Sequence, residues 1–529
     1  RGGVLVTSAP IVLFAKDTDG DGRGDVRRTL FEGFFEGNHQ LRINGLNWGL
    51  DNRVHGASGA VTIGYGGANN IRSGISGKSV MIRSGDFRFD PDTGWIEPTS
   101  GPSQYGRVRD DWGNWFGVHN SHPLWHYVLP ARYLRRNPDV TYPDSRRQVR
   151  TPRNPRVFAN KPPQKRFHSF EQSGRFTSAC GPSIYRDTIL FGRSGVTHAF
   201  TCEPFHNVIQ RSVIREDGVS FSGERADDGE RDFFASADRW SRPVFTRTGP
   251  DGALWFADMY RYMIEHPHWL PKNGQDELRP HFRSGDTFGR IYRIVPKGKP
   301  LREVPRLAGL KPAELVDVLS SENGTLRDMA HRLLIEADTK AVAPQLRAIL
   351  AGSPRPRARL HALAALDGLG RLDPPTLGQA LDDNHPYVRR LAFRLTEKFP
   401  GEAKRFAPHF DFALGQAQPG PEAKAVLQQF FSAGFLPDNK IGESISAKAG
   451  AVADSDSPFL QAAYLTAADA HYGSMLSAAE PGGKIYEQLM LVGIKRHRSV
   501  LAGKIDDTLG TANAHARMQL ASLWMKSLG

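Results

Sequence analysis

The chain changes character near residue 300, and this change constrains its fold more than any other feature. Before it, strand-length runs rich in Val, Ile, Phe, Tyr and Trp are punctuated by Gly, Asp-Gly and Asn-Gly, the pattern of short antiparallel strands joined by tight turns. One unit recurs loosely. Asn44 to Asp51 precedes Val54-His55-Gly56, Arg107 to Asn114 precedes Trp115-Phe116-Gly117, and Phe245 to Pro250 leads into Asp251 to Asp258. Each is a strand, a tight Asp turn and a second, aromatic strand. Such self-similarity predicts an all-β propeller of the six-bladed type over 1–298, with Gly289 to Val295 as its last strand. A β-sandwich with coincidental turns is the competing fold. Arg1 opens almost directly into the strand-like Val4-Leu5-Val6, so the ring is expected to be incomplete at that end.

Beyond Pro300 apolar residues recur at three and four spacing, as in Leu315-Val316-Leu319 and Met329-Ala330-Leu333-Leu334. Helical runs follow over 343–350, 359–369, 375–381 and 387–397, and, with weaker pattern, over 457–468 and 483–499. The stretch Asp382 to Ala392 has the form of a HEAT-type turn and second helix. Residues 299–529 are therefore expected to form an all-α HEAT- or armadillo-like solenoid, which offers an extended surface to a protein partner or braces the β half.

A length of 529 residues is too much for one ordinary core, which agrees with two domains. The chain has 69 Lys+Arg against 56 Asp+Glu, a formal net charge of +13. These cations are interleaved with acids, as in Arg135-Arg136-Asn137-Pro138-Asp139, so no basic tract follows a phosphate backbone and nucleic acid is a weak expectation. Anionic sugars, membrane surfaces or an acidic partner suit a diffuse charge equally. No run of about 18 apolar residues occurs, so no transmembrane helix is expected. The two cysteines, Cys180 and Cys202, exclude a C-x-x-C-H haem site and a Cys-rich zinc site, leaving one disulfide or two buried thiols.

Three groups of residues point to chemistry. Asp17, Asp19, Asp21 and Asp25 stand at the first, third, fifth and ninth positions of a calcium-loop pattern with Gly22 at the sixth, but Arg28 replaces the closing Glu; the alternatives are a cation site and an acidic hairpin loop. Trp112 to His126 gathers Trp112, Asn120, His122, Trp125 and His126, the stacking rings and donors of a sugar or planar-cofactor pocket, with a histidine able to act as base. Polar residues near the starts of the expected blades form the third group: His39, Arg42, Asn44, Gln104, Arg107, His206, Asn207, Arg239, Arg242, Asp258, Arg261 and His266. If they converge, they suit a multiply anionic ligand. Phosphate-loop, nucleophile-elbow and zinc-protease motifs are absent, and Gly64-Tyr65-Gly66-Gly67 lacks the setting of a dinucleotide fingerprint.

At Asp17 to Asp25, Arg42 to Gly49, Gly85 to Phe89, Asp110 to Asn114, His122 to Pro130, Arg132 to Pro138, Phe176 to Cys180, Cys202 to Pro204, Gly249 to Leu254, and Asp258 to Arg261 through Ile264 to Pro267, the chain resembles the membrane-bound dehydrogenase domain proteins of the planctomycete and verrucomicrobial type. The resemblance covers most of residues 1–300 and implies an exported, periplasmic or cell-surface propeller, distantly similar to soluble quinoprotein glucose/sorbosone dehydrogenases. The hypothesis that follows is an oxidoreductase with pyrroloquinoline quinone held by Arg42, Asn44, Arg242 and Arg261 and with His39 or His122 as the base that takes a proton from a sugar or polyol hydroxyl. Gln104, Trp112, Asn120, Trp125, His126 and Asp258 would meet the substrate, calcium would sit on Asp17, Asp19, Asp21 and Asp25, and electrons would pass to a separate or missing cytochrome c. The competing reading is a non-catalytic glycan- or protein-binding scaffold.

Overall fold

The computed structural model describes residues 2–60, 69–161, 174–193, 195–264, 272–411, 420–503 and 522. They divide into two compact units, Arg1–Tyr127, Arg146–Arg215 and Phe221–Gln345 in one, and Val128–Ser145, Glu216–Ser220 and Leu346–Gly529 in the other.

The described residues between 4 and 294 build five antiparallel sheets. The first runs Val4–Ser8, Ile11–Lys16, Val26–Glu32, Asn69–Ser73, Ser79–Ile82, and the second Asn44–Trp48, Val54–Ala57, Asp86–Phe89, Ile96–Thr99. The third runs Arg107–Arg109, Trp115–His119, His122–Tyr127, Arg146–Gln148. The fourth is Cys180–Ile184, Thr197–Glu203, Val208–Asp217, Ser220–Arg225, with Phe234–Ala235 added to Val208–Asp217. The fifth is Pro243–Thr248, Leu254–Asp258, Arg290–Ile294.

The hairpins follow from their turns. At Gly249 to Ala253 the chain closes on itself with Gly249 N–H to the Ala253 carbonyl at 2.8 Å. Gly252 takes a φ of +86°, which glycine adopts without strain. Asp251 Oδ1 fixes the turn by accepting from Ala253 N–H at 3.1 Å and from Trp255 Nε1–H at 2.9 Å. Along Leu254–Asp258 alternate residues are buried, the period of a strand with one face in the core. The inner faces meet in apolar clusters, with Phe31, Ile71, Phe87 and Phe89 in one and Phe200, Ile209, Leu254 and Phe256 in another.

This arrangement corrects the expectation of a six-bladed propeller. Among the described residues the sheets are separate and none closes. Blades take consecutive strands in turn, whereas here Val26–Glu32 pairs with Asn69–Ser73 past two strands of the second sheet, and the fifth sheet has three strands among the described residues. The reason is physical: a recurring strand–turn–strand signal encodes hairpins, which are local, and leaves open how the hairpins join.

Helices follow from Pro312 onward, as expected. Pro312, Pro356, Pro374, Pro386 and Pro458 open five of them, where the missing N–H costs nothing. Side chains of Asn323, Asp373, Asp438 and Ser457 accept from the first free N–H groups. In the second unit Leu363, Leu377, Val388, Phe393, Phe410, Phe430, Ile441 and Tyr464 are fully buried. Among the described residues no helix is long and apolar enough to cross a membrane. Cys180 and Cys202 are buried free thiols, directly opposite each other on neighbouring strands.

Candidate functional site

The residues singled out in the sequence lie mostly in the scaffold. Arg42 donates through Nε and Nη2 to the Glu36 carbonyl at 3.3 and 3.0 Å. Asn44 Nδ2 reaches the carbonyls of Arg42 and Gln104 at 2.9 and 2.7 Å. Gln104 accepts from Asn120 N–H at 3.1 Å and donates to the Gln40 carbonyl at 3.4 Å. Asn44, Gln104, Asn120 and the short turn His39–Leu41 are thus brought together, largely through main chain.

Arg242, 6 % exposed, spends its fork on four carbonyls: Arg261 at 3.0 Å, Pro204 at 2.9 Å, Phe205 at 3.3 Å and Tyr262 at 2.8 Å. Arg261 Nη1 caps the carbonyls of Met259, Tyr260 and Gly285 at 3.1, 3.1 and 2.8 Å. Asp258 Oδ1 accepts the N–H groups of Arg242 and Tyr260 at 2.6 and 3.0 Å. These three side chains together hold Tyr260 in a left-handed conformation, φ +53°, which a non-glycine residue adopts only when its surroundings impose it. Asn44 and Arg242 therefore do not fit a cradle for quinone carboxylates, because their donors face main-chain carbonyls, and Arg42 spends Nε and Nη2, and Arg261 Nη1, in the same way.

His122 Nε2 accepts from Arg153, and Nδ1 lies 3.3 Å from Ser121 Oγ. Burial, then the charges of Arg153, His119 and Arg146, lower its pKa to about 4, which leaves a neutral ring and a weak base. Its ring lies 6.1 Å from that of Trp125, which carries Arg146 over its face at 5.2 Å. His126 is buried between Phe116 and Phe221, with ring separations of 5.4 and 4.9 Å. Trp112 is half-buried, its main-chain N–H donating to Asp110 Oδ1 at 2.9 Å. His206 is buried against Glu203 at 3.2 Å, and Glu203 accepts three donors from Thr177 and Ser178. His266 and Gly64 to Gly67 lie outside the described residues.

In the exposed acidic loop, Asp17, Asp19 and Asp21 bring carboxylate oxygens within 4.8 Å of one another, a span that fits one hard cation with oxygens about 2.4 Å away. Hydrogen bonds from Gly20 and Gly22 N–H hold Asp17 below the usual carboxylate range. Asp25 turns instead to Thr18, bonding its N–H at 2.8 Å and its hydroxyl. Three of the four expected ligands thus fit a cation, and the fourth serves the loop.

Sequence reasoning missed a different site in the first unit. The strands Asn44–Trp48, Arg107–Arg109, Cys180–Ile184 and Pro243–Thr248, each from a different sheet, and the helix Gly324–Glu336 enclose a cavity of about 70 Å³. Arg109, Arg186, Arg247, Arg332 and Asp328 line it, with Trp48, Phe245 and the hydroxyls of Ser183, Thr246, Thr248 and Thr325.

The inner guanidinia are pinned. Arg109, 2 % exposed, donates to the Trp48 carbonyl at 2.8 Å and to Asp328 Oδ1 at 2.6 Å. Arg186 binds Asp328 at 2.5 and 3.1 Å and Asp111 at 2.5 Å. Arg327 donates to the same Asp111 oxygen at 2.5 Å. Burial works against the charge on Arg186, and Asp328 and Asp111 outweigh it, raising its pKa above the usual arginine value. The hydroxyls are also bonded, Ser183 to Thr246 at 2.6 Å and Thr325 to the Thr248 carbonyl at 2.7 Å.

The outer guanidinia differ. Arg332 is paired with Glu336 through Nε at 3.3 Å. Arg247 makes no hydrogen bond or ion pair with the described residues. Its side chain reaches solvent while sitting in a concavity. Enclosure lowers its pKa below the usual arginine value, and the charges of Arg186, Arg332 and Arg109 add to this against Asp328. It remains charged near neutral pH. Five guanidinia, those of Arg109, Arg186, Arg247, Arg327 and Arg332, face three carboxylates, those of Asp111, Asp328 and Glu336. Two positive charges are left over in a recess walled by protein, the electrostatics of an anion site.

No curated protein matches this chain. Residues 1–298 match the family described as Domain of unknown function (DUF7133), and the chain belongs to that family.

Proposed function

We propose that this protein is a binding module that recognises an acidic glycan at the arginine-lined cavity of its first unit. The observation that carries the reading is the charge of Arg247, lodged in a concavity without a protein counter-ion while its neighbours Arg109 and Arg186 are held by Asp328. Enclosure and the neighbouring guanidinia of Arg186, Arg332 and Arg109 disfavour its charge against the single Asp328 that supports it, and a ligand anion relieves that repulsion. Phe245 and Trp48 beside the arginines offer apolar faces to the sugar rings that would carry the charge. Binding is favoured over turnover because the histidines and arginines expected to perform oxidation are tied into the scaffold.

The test is a panel of acidic and neutral oligosaccharides presented to the intact chain at constant ionic strength. Acidic members are expected to bind, with loss on Arg247→Gln. Binding of neutral members alone, or binding indifferent to Arg247→Gln, overturns the reading. Reduction of an electron-acceptor dye in the presence of a bound sugar would replace it with the oxidoreductase alternative.

A further inference from the structure

Resting on that reading, we infer that the cavity seats the head group of its ligand alone: one tetrahedral oxyanion, a sulfate or phosphate carried as an ester, held by Arg247 and Arg332 at the rim. The body of the ligand stays outside, over Phe245.

Size sets the first limit. A cavity of about 70 Å³ is far below the roughly 300–1,000 Å³ of sites that enclose a whole small molecule. It holds a head group and not a sugar ring. Occupancy of the inner wall sets the second limit. The Asp328 carboxylate already fills the position between Arg109 and Arg186, with contacts of 2.5 to 3.1 Å to both. An incoming anion placed there would meet a like charge, so the ligand stops at the outer pair. Arg247 offers its whole fork, and Arg332 the donors that Glu336 leaves at its terminal nitrogens. Two guanidinium forks around one centre match several oxygens at once, which a tetrahedral oxyanion supplies better than a single carboxylate. Phe245 lies two residues before Arg247 on the same strand, hence on the same face, and is 37 % exposed.

The experiment uses the intact chain and inorganic sulfate, inorganic phosphate and acetate as probes, by calorimetric titration at constant ionic strength. Sulfate and phosphate are expected to bind one per chain and acetate more weakly. Arg247→Gln should weaken both tetrahedral anions about tenfold, the usual worth of a charge-assisted bond. Arg332→Gln should weaken them several-fold. Arg247→Lys, which keeps the charge and loses the fork, should fall between wild type and Arg247→Gln. Arg215→Gln, an exposed arginine paired with Glu224, should bind as wild type does. Phosphate affinity should rise with pH as the second proton leaves near pH 6–7, while sulfate affinity stays flat, and the relative strength of the two names the ester. Equal affinities in wild type and Arg247→Gln, or no binding above chloride, overturn the inference. Arginine-dependent binding of inorganic anions without any glycan binding leaves the head-group site standing and removes the glycan reading. Glycan binding that ignores both arginines does the opposite.

Discussion

Arg186 grips Asp328 with both arms of its guanidinium, Nη1 at 2.5 Å from Oδ2 and Nη2 at 3.1 Å from Oδ1. Arg109 reaches Oδ1 of the same carboxylate at 2.6 Å. One side chain on the helix Gly324–Glu336 thereby anchors Arg109 of the strand Arg107–Arg109 and Arg186, two residues past the strand Cys180–Ile184. Asp328→Asn would leave buried Arg109 without its carboxylate and Arg186 with Asp111 alone. Breaking such a pair costs about 3 kcal/mol or more, and urea unfolding should show that loss. Arg247→Gln, at a position without a protein partner, should lie within about 0.5 kcal/mol of wild type. An Asp328→Asn protein as stable as wild type would mean that the carboxylate does not hold the cavity.

Arg242 separates a scaffold role from a ligand role. Its four carbonyl acceptors lie on two loops, and only a planar fork serves them together. Arg242→Lys should cost about 2 kcal/mol in urea unfolding, since buried carbonyls lose their donors. Oxyanion affinity at the cavity should be unchanged. A Lys variant with native stability and altered ligand binding would return Arg242 to the set of binding residues.

Much of this fold is legible in the sequence, and the reasons are local. Asp-Gly turns flanked by aromatic strands specify hairpins, and Gly252 with Asp251 shows how. Asn323, Asp373 and Ser457 ahead of helical patterns specify helix starts. Closure of the sheets was not legible, because pairing such as Phe31 with Ser73 spans strands that belong elsewhere. At the candidate site the attraction of His, Trp and Asn clusters misled, since a polar residue near a strand end more often satisfies main chain than a ligand. A subtler signal was present. Arginine stands at or near a strand end just before an Asp turn at Arg109-Asp110-Asp111, at Arg186-Asp187 and at Arg247 ahead of Asp251. Equivalent positions in repeated units gather in space, and the repetition of one charge there is the trace of the cavity. Its counter-ion, Asp328, comes from a helix far along the chain, which no local pattern reveals.

Stability should fall as pH drops below about 6.5. His55 is 4 % exposed and stacked on Trp115 at 4.1 Å. Burial lowers its pKa to about 4, against the pull of Asp51 at 3.0 Å. Between about pH 4 and 6.5 the unfolded chain holds a proton on this ring that the folded chain lacks. Folding therefore gains stability as pH rises through that window, by up to about 1.4 kcal/mol per pH unit for one such histidine. His198, His122 and His385 are lowered to about 4 as well, so the total slope exceeds one proton. His55→Gln should lower the slope of unfolding free energy against pH by one proton's worth between pH 4.5 and 6. An unchanged slope would show that Asp51 keeps the ring protonated in the fold.

In the second unit Glu397, with its side chain 3 % exposed, is the acceptor for four donors. Tyr133 Oη donates at 2.8 Å, Ser432 Oγ at 2.9 Å and Gln428 Nε2 at 3.2 Å, and Arg132 pairs with the other oxygen. The Tyr133 ring lies parallel to Phe431, 4.3 Å away, so the phenol is fixed before it bonds. Glu397→Gln removes the counter-ion of Arg132 and turns an amide donor toward groups that are themselves donors, a loss of about 3 kcal/mol. Tyr133→Phe removes two bonds, the one given to Glu397 and the one that Gln428 Nε2 donates to Tyr133 Oη at 2.8 Å, and leaves the stacking, a loss of about 2 kcal/mol. The two changes share a partner, so their effects should not add. In a double-mutant cycle the combined variant should be less destabilised than the sum, with a coupling of 0.5 kcal/mol or more. Simple additivity would show that Tyr133 and Glu397 stabilise the unit independently and that the carboxylate's other three donors suffice to hold it.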